Sequence, residues 1–216
     1  MNDDASAGLK RRIWSFNVEV ARYAHPAWLA EWRRTGPARF ARDRRMQSQH
    51  LIAAHVLGLV EPAVMQSPVE RVALLSARDT HQLVRCWMAR LCVKYLRVNV
   101  AGRVARMNTR VLGEDVINQV LAAELLDRQD GLGFPVIKGI RINRPIDLAI
   151  LHRRTLLTLS NHMSPEVAAR FRLRFRPKYF DNLVPLRDLH RFEEGLAFRE
   201  LDVHMSKEGV CILRSP

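Results

Sequence analysis

Special chemistry and special scaffolds both need residues that this chain has few of. Its three cysteines, Cys86, Cys92 and Cys211, are odd in number and follow no regular spacing. That argues against a disulfide framework and for a reducing compartment. Cys86 and Cys92 stand within an apolar helical run and read as small core residues. Glycine and proline number ten each, too few for a many-turned β-sandwich. No apolar run reaches the ~18 residues of a membrane span, and no basic start leads into a short apolar stretch. Neither a transmembrane helix nor a signal peptide is therefore expected, and the expected compartment is the cytoplasm. Hydrophobic residues at 48% and charged residues at 26% are ordinary globular usage. A chain of 216 residues can bury a sizeable core without a disulfide or metal staple.

Lysine is scarce as well. Only five of the thirty-five basic residues are lysine, and thirty are arginine. Against twenty-two acidic residues they give a net charge of +13 and a pI near 10.9. Arginine offers a planar fork that suits carboxylate and phosphate. An acidic protein surface, a nucleic acid or an anionic membrane face would suit such a chain. A solvated arginine-rich surface with no partner accounts for the same totals.

Apolar periodicity and cap residues predict a mainly α, compact multi-helix single domain, with short extended segments near the N-terminus and in the C-terminal tail. The organisation expected is a flexible N-terminus over 1–12, one helical domain over 13–202 and a tail over 203–216. Ile13 to Val20 alternates well enough for an extended stretch. Pro26 suits a first helical position, with Trp28, Leu29 and Trp32 on one face. Gly36-Pro37 breaks that helix, and a second is expected over 38–57, ended by Gly58. Ser67-Pro68-Val69-Glu70 reads as a capping box and Ser76-Ala77-Arg78-Asp79 as the cap of the longest helix. Leu83, Val84, Trp87, Leu91, Tyr95 and Val98 carry that helix to Val100 as the central element. Further helices are marked by Val104 to Leu112, by Val116 to Leu125 beyond Gly113, by 147–160, after Ser164-Pro165, and from Leu186 to Phe192. Gly131 to Pro135 is a loop, residues 136–146 look irregular, and Val210 to Leu213 reads as an edge strand or docked tail.

No catalytic centre assembles from the motifs. No Cys-x-x-Cys or His-Glu-x-x-His is present, so no metal and no cofactor are expected. His50 and His55, five apart, do not share a helix face and read as satisfied or exposed histidines. Glu193-Glu194 diverge on a helix and make a poor acid/base couple. Gly131-x-Gly133 lacks the rest of a phosphate loop. Basic clusters are the better lead. No acidic residue lies between Thr80 and Gly113, while Arg85, Arg90, Lys94, Arg97, Arg103, Arg106 and Arg110 do. Arg103, Arg106 and Arg110 follow helical spacing. Arg170-Phe171-Arg172-Leu173-Arg174-Phe175-Arg176 alternates with period two, which suits a strand with one cationic side or the end of a helix. A third cluster runs from Arg33 to Arg45.

Several of these stretches resemble one family. Trp14-Ser15-Phe16-Asn17 with Tyr23-Ala24-His25-Pro26-Ala27-Trp28-Leu29 is similar to the opening of the SctK proteins of bacterial type III secretion systems. The Ser67-Pro68 helix, the long apolar helix, Leu112-Gly113-Glu114-Asp115, and Met163-Ser164-Pro165-Glu166 closing on Arg170 to Pro177 resemble later parts of that family. Arg176 is an extra residue before the proline. The resemblance covers most of 14–177 by short scattered motifs and none of the last forty residues. It implies a non-enzymatic adaptor at the cytoplasmic face of the inner membrane. Such an adaptor links the cytoplasmic domain of the SctD ring protein to the SctQ pod protein. Charge geometry alone nominates Arg103, Arg106 and Arg110, then Arg172, Arg174 and Arg176, as the partner-binding residues. The competing expectation is a cytoplasmic nucleic-acid-binding protein.

Overall fold

Ile13, Phe16, Asn17 and Val20 repeat at three and four, and that period decides the start of the chain. In the computed structural model residues 2–35, 42–129, 142–186 and 205–214 are described. Helix α1 runs from Asn2 to Val18 and α2 from Val20 to Tyr23. Ile13, Phe16, Asn17 and Val20 are buried while Trp14 and Val18 are exposed, the pattern of a helix with one inward face. The expected extended segment at 13–20 is thus helical, and the polar start expected to be flexible is helical from Asn2. No strand occurs among the described residues. The expectations for Gly36-Pro37, Gly131 to Pro135, 187–192, Glu193-Glu194 and Val203 lie outside them.

The chain forms two compact units. Unit 1 comprises Met1–Leu75, Leu159–Asp181 and Cys211–Pro216. After α2 a 3-10 turn, Pro26–Leu29, opens with the His25 ring accepting from the Ala27 amide and leads into α3, Ala30–Thr35. Helix α4, Arg44–Ala54, is capped by the Asp43 carboxylate, which accepts from the amides of Arg45 and Met46. Its bounds lie inside the expected 38–57. It ends before Gly58 because Val56 takes the left-handed position, at φ 48°. There the Leu57 amide bonds back to Ile52 and the Val56 amide to Ala53, the double closure of a helix C-terminus. One-turn α5, Pro68–Arg71, continues as a 3-10 turn at Val72–Leu74. The expected capping box does not close there as drawn. Glu70 turns its carboxylate to the Ser164 amide at 2.6 Å and so serves the start of α11, Pro165–Arg172. Val20, Leu29, Leu51, Leu57 and Leu173 form one core cluster, with Tyr23, Trp28, Trp32 and Ile52 packed against it.

Unit 2 comprises Ser76–Thr158 and Asn182–Val210. Its central helix α6, Ala77–Leu91, is buried almost all round from Leu83 onward, as its two-sided apolar pattern requires. It stops at Cys92 and α7, Val93–Val98, follows. No proline or glycine marks that break. Helices α8, Gly102–Leu112, and α9, Glu114–Gln129, are separated by Gly113 at φ 95°. A Cβ there would meet only the side-chain ends of Asp115 at 2.7 Å and Arg85 at 2.9 Å, which can shift, so it is the positive φ that calls for glycine. Both α6 and α8 pack on α9. Helix α10, Pro145–Asn161, begins in this unit.

The tail, read as an edge strand or a docked tail, is helix α12, Lys207–Arg214, which also begins here. Ser206 caps it by accepting from the Gly209 amide, and Met205, Gly209, Ile212 and Leu213 are buried at helical spacing. Asp79, itself N-terminal in α6, holds that cap. Its carboxylate accepts from the Ser206 amide, the Ser206 hydroxyl and the Ser76 hydroxyl, each at 2.8 Å. Burial raises the Asp79 pKa, but those bonds outweigh it and leave the group below its ordinary value of 3.8.

Two outcomes follow. Val56→Gly relieves a β-branched side chain held in the left-handed region, at a cost of roughly 1–2 kcal/mol, and adds back about 0.5–1 kcal/mol of unfolded-state entropy. A urea titration is expected to show a net gain of ~0.5–1 kcal/mol. Asp79→Asn is expected to lose about 2 kcal/mol at pH 7. A depressed folded pKa gives stability that is full above the unfolded value and fades as pH falls through the folded one. The gap between wild type and variant should therefore hold from neutrality to about pH 4 and shrink below it.

Candidate docking surface

Arginine is long enough to be either a surface charge or an internal donor, and this chain uses it both ways. Arg103, Arg106 and Arg110 lie on α8 at steps of three and four and are all exposed. None of the three forms an ion pair with another described residue. Buried Asn108 and Leu112 hold the opposite face of the helix. Of the other cations in the acid-free stretch, Lys94 and Arg97 on α7 are exposed, Arg85 is half-buried and bonded to Gln82, and Arg90 is buried. Val98 and Val100, between α7 and α8, are 81% and 73% exposed, and Val111 is exposed beside Arg110. The α7–α8 corner therefore presents five cations interleaved with three valines.

The second nominated group lies in unit 1 and behaves differently. The alternating run from Arg170 to Arg176 is not a strand. It is the end of α11 and the turns after it. Helical geometry there points Arg170, Phe171 and Arg174 inward. Arg170 is 1% exposed and donates to the carbonyls of Gly58 at 2.6 Å and Asn17 at 3.3 Å. Arg174 donates to the carbonyls of Ala73 at 3.3 Å and Leu75 at 2.6 Å, and lies 6.0 Å over the Phe171 ring. Burial pulls its guanidinium down to about 10, with Tyr23 acting the other way. Arg174 is thus an internal staple and leaves the set of partner-binding candidates. Arg172 is exposed and bonded to the Ser160 hydroxyl at 3.0 Å and the Asn161 amide oxygen at 2.8 Å. Arg176 is exposed.

Arg71 repeats the internal use. It is 4% exposed and donates to the carbonyls of Met65 at 2.7 Å and Leu213 at 3.3 Å. His50 and His55 are each packed on a tryptophan. The His50 ring stacks on Trp32 with centroids 5.1 Å apart, and the His55 ring meets Trp28 edge-on at 4.9 Å. Sequence reasoning also missed the contact of His81 with His152, which are 71 positions apart. No motif spacing links them.

Among the described residues, no three of His, Cys, Asp and Glu come together as a metal-binding group, and no helix is long and apolar enough to cross a membrane. No family model, curated protein or solved structure matches the chain.

The two arginine classes separate by stability. Arg174→Met leaves the Ala73 and Leu75 carbonyls without that donor and is expected to cost about 2–3 kcal/mol in a urea titration. Arg103→Ala, Arg106→Ala and Arg110→Ala, which remove no internal bond, are expected to stay within about 0.5 kcal/mol of wild type.

Proposed function

We propose that this chain is a non-enzymatic docking adaptor of the SctK kind. It would link an SctD-like inner-membrane ring protein to an SctQ-like pod protein on the cytoplasmic side of the membrane. The observation that carries the reading is the exposed row Arg103, Arg106 and Arg110 on α8, three guanidiniums without ion-pair partners among the described residues. Solvent-facing guanidiniums not engaged in ion pairs keep their field for an incoming partner, which raises the rate of encounter and selects against other cationic surfaces. The valines of the same corner add apolar area for a contact of ordinary anatomy, apolar inside and charged at the rim. The scattered SctK-like motifs over 14–177 supply the machine to which such an adaptor would belong.

Capture assays test the reading. Immobilised SctD cytoplasmic domain and SctQ are each expected to retain the wild-type chain. Arg103→Glu/Arg106→Glu is expected to lose at least one of the two while keeping its melting midpoint. Failure of the wild-type chain to bind either protein would sink the proposal. The same row also fits phosphate oxygens, so nucleic acid is the second reading. Sub-micromolar binding to DNA or RNA, with log affinity falling against log salt by about 0.9 per phosphate contact, would put that reading first.

A further inference from the structure

Within unit 2 two imidazoles meet that the docking surface does not use. His81 sits in the second turn of α6 and is exposed; His152 sits midway along α10 and is half-buried. The His81 Nδ1 and the His152 Nε2 are 3.2 Å apart, and the ring planes are tilted by 52°. One of the two facing nitrogens carries a proton in this arrangement. Burial lowers the affinity of both rings for a second proton, taking His152 to about 4, with the charge of His81 adding to the effect. Neutral imidazole is the form that ligates metal.

We infer that His81 and His152 form a two-histidine site for a borderline divalent cation, Zn2+ foremost. Two Zn–N bonds of about 2.05 Å that end on nitrogens 3.2 Å apart enclose an angle of about 103°, close to the tetrahedral value. The ion lies off the line between the nitrogens, and the exposed His81 ring swings to meet it. The proton on the donor nitrogen moves to the other nitrogen of the same ring, so both facing nitrogens offer a lone pair and no proton leaves the protein. Imidazole suits zinc and copper and does not suit magnesium or calcium. No third His, Cys, Asp or Glu among the described residues joins the pair, and His81 is exposed, so water can reach the ion. Arg78 and Arg85, one turn to either side of His81 on α6, oppose a cation. Arg85 is partly engaged by the Gln82 side chain at 3.0 Å. The expected affinity is therefore micromolar and not that of a closed four-ligand site.

Calorimetric titration of the full chain with ZnCl2, under a phosphine reductant and without phosphate buffer, tests the site. One Zn2+ per chain is expected, with a raised melting midpoint. His81→Gln alters an exposed ring and is expected to keep the metal-free midpoint while weakening Zn2+ binding by at least about tenfold. His152→Gln is the second variant and is expected to do the same. No saturable binding by the wild-type chain overturns the inference. Binding unchanged in both variants also overturns it, since the ion would then sit elsewhere, for instance on the exposed Cys211 thiol.

Discussion

Unit 1 depends on guanidinium groups bonded to backbone carbonyls in its interior. Arg170 reaches Asn17 and Gly58, Arg174 reaches Ala73 and Leu75, and Arg71 reaches Met65 and Leu213. Gly58 lies in irregular backbone and the other carbonyls at or near helix ends, where the backbone can lack its own donor. An unpaired buried carbonyl is costly, and a planar fork with five donors can serve two of them at once. A buried charge is costly as well, and these guanidiniums keep theirs because carbonyl dipoles surround it. Removing one such side chain strands several groups together. Exchange for lysine would fit badly, because a single ammonium lacks the fork.

That use of arginine marks the limit of what could be read from the residues alone. Cap chemistry was legible: Ser76 accepts from the Asp79 amide, Pro26 opens a turn, and Gly113 separates two helices. The helical fold class followed from period. The extended reading at 13–20, and the strand alternatives at 170–176 and 210–213, failed for one shared reason. Short windows match period two and period 3.6 almost equally well, and tertiary packing decides between them. At Arg170 to Arg176 the helix-end reading holds, but a hydropathy pattern counts arginine as outward-facing and two of these point in. Val56 in a left-handed position was invisible because the rule expects glycine there, and Gly58 stood two residues away. The His81–His152 contact has no local signature at all.

The candidate surface was more legible than the core. Charge excess and helical spacing singled out Arg103, Arg106 and Arg110, and all three are exposed on α8. What distinguished them from Arg170 and Arg174 was their neighbourhood. The first set sits on a helix whose opposite face carries Asn108 and Leu112 into the interior. The second alternates with phenylalanines and a leucine that the core needs, so the arginines were drawn in with them. An acid-free stretch is informative only when its cations stay wet.

The partners of Arg170 also bear on how the chain is made. Asn17 lies 153 positions before it and Gly58 lies 112 before it. A ribosome delivers the first seventy-five residues of unit 1 long before the arginines that close them. All of α6 to α10 emerges in between. Until then Val20, Leu29 and Leu51 have no Leu173 to pack against, and the Gly58 carbonyl must be solvated by water. Contacts of such long range form late, so the nascent chain carries an incomplete, partly apolar first unit until Leu173 is made.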